Sequence, residues 1–316
     1  MKKILVIGST VVDVIINLEE YLPKTGQDVH IRSQKMSLGG CAYNVSDSIR
    51  HFQVPYVLFS PVGTGAYGDF LRNALAQKGI SSPIPTPAMD NGCCYCFIEK
   101  TGERTFISYH GAEYLFKKEW FSLLDPEEFD FVYICGLEIE ERTGNNIIEF
   151  LEKNPRLTVF FAPGPRLTVI EPERIRRLFA LSPVLHVNET EAMEASHKNT
   201  ITEAAAELFS LTHNTVIITL GKEGCYYYDG KKGEQIPPCP AIQTDTIGAG
   251  DSHIGSVMAC LKQGDDLAEA IRKANRVAAE VVGTTGALLP DDVFQSLEFN
   301  YKSPGQQPCG EACLHA

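Results

Sequence analysis

Asp245-Thr246-Ile247-Gly248-Ala249-Gly250-Asp251 leads directly into Ser252–Lys262, a stretch expected to be helical. Small residues at such a join let the backbone approach a ligand closely, and the amides of a helix start point outward without partners. Helped by the helix dipole, they form a site for phosphate or for charge developing on a migrating phosphoryl group. Asp251 follows the glycines, within reach of an approaching hydroxyl. The competing reading is a tight turn capped by Asp251, and for an isolated glycine-rich helix start it is the commoner one. The rest of the chain decides between them.

The chain has 316 residues, enough for one large domain or two modest ones. At 44% hydrophobic and 22% charged it has the composition of an ordinary soluble globular protein. A net charge of -12 argues against a nucleic-acid partner, which needs a concentrated basic face. Nucleotides stay open, because backbone amides and one or two cations suffice to hold them. The apolar run after Met1 is too short for a secretory leader, and no stretch approaches the roughly 20 apolar residues of a membrane span. A cytoplasmic enzyme is expected. Of the ten cysteines, Cys41, Cys135, Cys225, Cys239 and Cys260 lie in or beside expected core elements and read as buried thiols. Cys93, Cys94 and Cys96 with Cys309 and Cys313 match no zinc-ligand spacing.

Ile4–Ile7, Tyr56–Phe59, Phe131–Cys135, Thr158–Phe161, Val184–Val187 and Val216–Leu220 read as strands buried on both faces. Amphipathic segments alternate with them at Asp69–Lys78, Asn145–Lys153, Pro172–Leu181 and Thr202–Leu211. The alternation predicts an α/β fold with a mostly parallel sheet covered on both sides. Ligands in such folds bind beyond the carboxyl ends of the strands, where Asp13, Gly136, Asn188 and Gly221 are expected. Residues 14–36 and 91–110 break the pattern with alternating, polar-flanked strands. In the second, Cys94–Glu99 and Arg104–Tyr109 form a hairpin around Lys100-Thr101-Gly102-Glu103. These insertions suggest a small sheet standing off the body, as a lid or as a dimer contact. Residues 1–300 are expected to form one domain, and 301–316 a loosely held tail.

Several constellations carry possible chemistry. Gly39-Gly40-Cys41-Ala42-Tyr43-Asn44 opens a helix running to about Phe52, with an Asn that both donates and accepts, which suits a polyhydroxylated ligand. Asn188-Glu189-Thr190-Glu191 follows a strand; it could orient a hydrated magnesium ion, or it is a helix cap with Glu in the first turn. Thr219-Leu220-Gly221-Lys222-Glu223-Gly224 could line a nucleotide groove or simply turn the chain. Asn275 sits at the edge of the apolar stripe Leu267, Ile271, Ala274, Ala278 and Val281, where an amide finds a backbone group or an adenine ring. Gly63-Thr64-Gly65-Ala66-Tyr67-Gly68 matches the dinucleotide fingerprint and keeps an NAD-dependent oxidoreductase as the rival enzyme. Its turn is the second rather than the first, and Asp90 follows a Pro-broken stretch instead of a strand. A third alternative is a sugar sensor without catalysis.

In their order along the chain, these motifs resemble the ribokinase (PfkB-type) family of sugar and nucleoside kinases, from about Lys2 to about Pro290. Asp245-Thr246-x-Gly248-Ala249-Gly250-Asp251 is similar to the family's C-terminal signature, and Gly39-Gly40 with Asn44 and Gly63 to its N-terminal one. The resemblance implies a three-layer α/β/α fold with a small β-sheet lid and ATP-dependent phosphorylation of a primary alcohol on a sugar, a sugar-like compound or a nucleoside. Asp251 would be the base, and the amides of Gly248, Ala249 and Gly250 the anion hole. Asp13, Gly39, Gly40, Asn44 and Glu138 would face the acceptor. Arg104, on the expected lid hairpin, could meet an acidic or phosphorylated acceptor, or it is a solvated strand residue. Asn188 and Glu191 would organise Mg2+ through water, while Thr219, Gly221, Gly224 and Asn275 would line the ATP groove. Asp245 would help bind a monovalent cation such as K+, and the lid sheet would be a site for a homodimer. A helix start should keep Asp251 ionised. His253, where an aromatic such as Phe is usual, departs from the pattern, as do Gln53, Gly65 and Ser256.

Overall fold

Short runs of Val, Ile, Leu and Phe, too short for helices and apolar on consecutive residues, become the strands of the central sheet. In the computed structural model of the chain, the described residues are 1–242, 244, 246–284 and 286–299. The strands are β1 (Lys3–Ile7), β2 (Val11–Leu18), β3 (Ile31–Gly39), β4 (Tyr56–Phe59), β5 (Cys93–Ile98) and β6 (Arg104–Tyr109). They continue as β7 (Phe129–Cys135), β8 (Thr158–Ala162), β9 (Val184–Asn188), β10 (Val216–Thr219), β11 (Cys225–Tyr228) and β12 (Gly233–Ile236). The helices are α1 (Cys41–His51), α2 (Gly65–Gln77), α3 (Gly136–Glu140), α4 (Gly144–Lys153) and α5 (Pro172–Phe179). After them come α6 (Glu189–Ser196), α7 (Ile201–Thr212), α8 (Ala249–Lys262), α9 (Leu267–Gly283) and α10 (Asp291–Ser296).

The large sheet has eight strands in the order β12-β11-β10-β9-β8-β7-β1-β4. Pairing is parallel from β4 to β10, and β11 and β12 add an antiparallel edge. Successive residues feed opposite cores: Ile4 and Val6 pack with α1, α8 and α9, while Leu5 and Ile7 pack with α4, α6 and α7. Both faces are therefore covered, which gives three layers. Each of these four side chains is fully buried, so truncation to alanine removes roughly 2–5 kcal/mol.

The second sheet has four strands in the order β3-β2-β5-β6, and both regions singled out as insertions contribute to it. β2 and β3 pair antiparallel, β2 and β5 parallel, β5 and β6 antiparallel. One difference from expectation matters for the site. Asp13 does not follow β1 directly; it sits on β2, opposite Ser37 and Cys94. Val11 and Val12 extend the apolar alternation back toward β1, so the strand starts before Asp13. β3 then runs without a break through Gly39 to the start of α1. The strand β12 was not expected, because Gly-Glu-Gln-Ile carries a single apolar residue.

Candidate active site

The site begins where α8 begins. Gly248 is its N-cap, with a φ of 76° that favours glycine. A β-carbon there would also lie 2.7 Å from the Ala287 α-carbon and overlap its carbonyl. Ser252 N–H donates to Gly248 O at 2.8 Å, which marks the first regular helical bond. The amides of Gly250 and Asp251 precede that bond, so the helix offers them no acceptor. The Ala249 N–H makes a long turn bond of 3.4 Å to Thr246 O. A side chain starting at Gly250 would meet no heavy atom within 4 Å, so this turn faces open space.

The second glycine pair brings α1 against this turn. Gly40 caps α1 with a φ of 97°, and a β-carbon on it would stand 2.6 Å from Ser9 O. Gly39 leaves room for the Asp13 carboxylate, which any side chain there would overlap. Asn44 Nδ2 then donates to Asp251 Oδ2 at 2.9 Å. Glu138, on α3 and 1% exposed, accepts from the Ser9 amide at 2.8 Å through Oε1. Its Oε2 and the Asn44 Oδ1 are buried with no partner among the described residues. Buried polar atoms are nearly always paired, so such atoms fit a ligand rich in hydroxyls.

Burial pushes the Asp251 carboxyl up to about 7; Asn44 and Cys41 oppose the rise, and the carboxylates of Glu138 and Asp13 add to it. Burial outweighs the helix start, contrary to the expectation of a fully ionised group. Burial raises Asp13 to about 6 and Glu138 above the usual carboxylate range. A half-buried carboxyl that titrates near neutrality, beside unpartnered acceptors and open amides, is suited to taking a proton from an alcohol.

On the other side of the α8 start lies a cleft of about 510 Å³. Thr219, Gly221, Gly224, Gly250 and Asn275 line it, and Pro238, Pro240, Ala278, Ala279 and Val282 give it apolar walls. Ala278 thus faces the cleft, and Val277 takes the core position beside Ala274. The size and apolar walls suit a base and ribose, and Gly250 connects the cleft to the turn that opens α8. Asn275 is 8% exposed, and its amide already donates to Pro237 O at 2.9 Å. At the end of β9, Asn188 and Glu191 form a reciprocal capping box. Asn188 Oδ1 accepts from Glu191 N at 2.9 Å; both Glu191 oxygens accept from Asn188, at 2.9 and 2.8 Å. The cap and the carboxylate are one structure, with both Glu191 oxygens already engaged by Asn188.

Arg104 opens β6 opposite Ile98, whereas Asp13 stands level with Cys94 and Ser108. Four residues of strand, roughly 13 Å, separate the Arg104 level from that of Asp13. Asp245 and residues 301–316, the expected cation site and tail, lie outside the described residues. The Gly63–Gly68 turn follows the edge strand β4 and is filled by its own chain: Gly63 N–H donates to Asn91 Oδ1 at 2.8 Å and Thr64 Oγ1 to Asp90 Oδ1 at 2.8 Å. Its amides and its acidic residue serve the turn itself, so the oxidoreductase reading falls. Sequence reasoning missed Ser9, Cys41 and His186. A histidine inside the apolar run Val184–Val187 was the available signal for the last.

Residues 1–292 match the family model described as pfkB family carbohydrate kinase. The chain is 32% identical over 292 residues to the uncharacterized sugar kinase YegV of Escherichia coli K12, covering 90% of each chain. Among solved structures, the ribokinase of Thermotoga maritima superposes with a TM-score of 0.79 at 23% identity, over 94% of this chain and 99% of that one. The Arabidopsis thaliana ribokinase complexed with ribose and ATP superposes with a TM-score of 0.76 at 18% identity, over 94% and 99%. The chain belongs to the pfkB carbohydrate kinase family and is an ATP-dependent phosphotransferase with an alcohol group as acceptor.

Proposed function

We propose that the chain phosphorylates the hydroxymethyl group of a sugar or sugar-like acceptor. The reading is carried by Asp251, a carboxyl titrating near neutrality, hydrogen-bonded to Asn44 and set on the open turn that begins α8. In the reaction, Asp251 takes the hydroxyl proton as the acceptor oxygen bonds to the terminal phosphorus of ATP. The bond from that phosphorus to the bridging oxygen breaks, and ADP leaves with the electron pair. The amides at the start of α8, foremost Gly250, stabilise charge on the equatorial oxygens. Asp13, Gly39, Gly40, Asn44 and Glu138 hold the acceptor, and the cleft between Thr219 and Val282 holds the nucleotide. Arg104 is left outside the acceptor site.

When bound, Mg2+ supplies charge neutralisation across the phosphates. Glu191, with both oxygens engaged by Asn188, would hold such an ion through water rather than directly. The exposed Ile31, Met36, Phe106, Ile107 and Tyr109 on the outer strands of the small sheet support a second copy of the chain there. Mass measurement in solution tests that contact, and a monomer at all working concentrations rejects it. The kinase reading is tested by screening sugars and nucleosides for acceptor-dependent ADP formation. It requires turnover with at least one hydroxylated acceptor and its loss in Asp251→Asn.

A further inference from the structure

His186 is a buried histidine in the middle of β9, 5% exposed between Leu185 and Val187. Its Nε2 lies 2.9 Å from His253 Nδ1. His253 Nε2 lies 3.1 Å from Asn275 Oδ1, and Asn275 Nδ2 lies 2.9 Å from Pro237 O. His253 is 2% exposed and Asn275 8%, yet both border the cleft. The row therefore joins β9, α8, α9 and the segment after β12.

The carbonyl end fixes the direction of every bond. Pro237 O only accepts, so Asn275 Nδ2 donates and its Oδ1 accepts from His253 Nε2–H. Burial pushes the His253 ring down to about 4 and His186 well below the usual range, so both rings are neutral at physiological pH. A neutral ring protonated on Nε2 has a bare Nδ1, which accepts from His186 Nε2–H. One acceptor, Pro237 O, thus dictates two tautomers.

We propose that His253 is a positioning residue for the nucleotide, acting through Asn275 to hold the Pro237–Ala241 segment as a fixed wall of the cleft. The role rests on the kinase reading for the identity of the occupant. Three prolines stiffen the segment, and the Asn275 amide ties it to α9. The same helix that carries His253 carries Asp251 two residues earlier, so the relay aligns the nucleotide wall with the reacting end. Phenylalanine at 253 keeps the volume but leaves Asn275 Oδ1 and His186 Nε2–H unpaired in the interior. Glutamine offers both an acceptor and a donor, and can restore the row.

The test uses the full chain, with 15N imidazole spectra and calorimetric titration with adenylyl imidodiphosphate. Both rings are expected as Nε2–H tautomers from pH 6 to 8. H253F should weaken binding by about tenfold and raise KM for ATP in step, against a fall in kcat of less than threefold. H253Q should recover to within threefold of wild type. An Nδ1–H tautomer at His253, or H253F binding within twofold of wild type, overturns the relay. If H253F fails to fold, the wild-type spectrum and H253Q still decide. Wild type that binds no adenine nucleotide overturns the kinase reading, and the relay's role with it; wild type that binds while H253F binds equally overturns the relay alone.

Discussion

Asn44 Nδ2 lies 2.9 Å from Asp251 Oδ2, so the helix starts that follow the two glycine pairs are fastened to each other by one hydrogen bond. The bond orients the carboxyl and lowers, against burial, the pH at which it gives up its proton. It also couples α1, the proposed acceptor side of the site, to α8, the proposed phosphoryl side.

Asp251→Asn keeps the shape and removes the proton acceptor. Turnover should fall by roughly 10²–10⁴, the range of a general base, while adenine nucleotide affinity changes less than threefold. An ADP-release assay beside calorimetry checks both. Retained turnover would take the base role away from this residue.

Asn44→Ala should shift the pH profile. The Asn44 bond favours the ionised form of Asp251, so its loss moves the carboxyl above its present value of about 7. The acid limb of kcat should therefore move to higher pH, and acceptor KM should rise about tenfold with the lost contact. KM for ATP should stay within twofold. Steady-state kinetics from pH 5.5 to 9 measure all three.

The contribution of Asp13 and Asp251 to stability should fall as pH rises across the acidic range. Asp13 and Asp251 release protons at about 6 and about 7 when folded, against an ordinary value of 3.8. Between about pH 4 and 7 these two groups therefore hold more protons in the folded chain than in the unfolded one, and raising pH weakens their contribution, while the buried His186 and His253 act in the opposite sense. Asp13→Asn and Asp251→Asn remove this penalty. Both should raise Tm at pH 8 and leave it nearly unchanged at pH 4; equal shifts at the two values would contradict the assignment.

Gly248→Ala and Gly250→Ala should behave oppositely. At Gly248 the added methyl meets the Ala287 backbone at positive φ, a cost of about 1–3 kcal/mol read as lost stability. At Gly250 it meets nothing of the protein and projects toward the cleft. That variant should melt within about 2 °C of wild type yet lose most of its turnover. Thermal unfolding paired with the ADP assay separates the two effects.

The central sheet was legible because its parallel strands are buried on both faces, which leaves consecutive apolar residues such as Ile4–Ile7 and Val216–Ile218. Asp251, Asn44 and the glycine pairs were legible because close backbone approach restricts residue type. Asp13 was identified but expected at the end of β1, since alternation alone did not show that β2 begins at Val11. At Asn188 and Glu191 both readings came from the same residues, and spacing alone could not separate a cap from a metal carboxylate. Arg104 was a candidate on charge alone; strand register, which sequence hides, puts it four residues from the level of Asp13. The proposed relay through His253 depends on β9, α8, α9 and the segment after β12 meeting in space, and nothing local announces that.

The pairing of β2 with β5 joins residues 12–17 to residues 93–98. During synthesis, Asp13 can pair with Ser37 as soon as β3 emerges, but its pairing with Cys94 waits for β5, and Asp251 emerges later still. A half-made chain can thus assemble one bank of the pocket but never both opposing carboxyls. With Asp251 as the proposed base, birth order keeps the unfinished polypeptide chemically silent until α8 has been made.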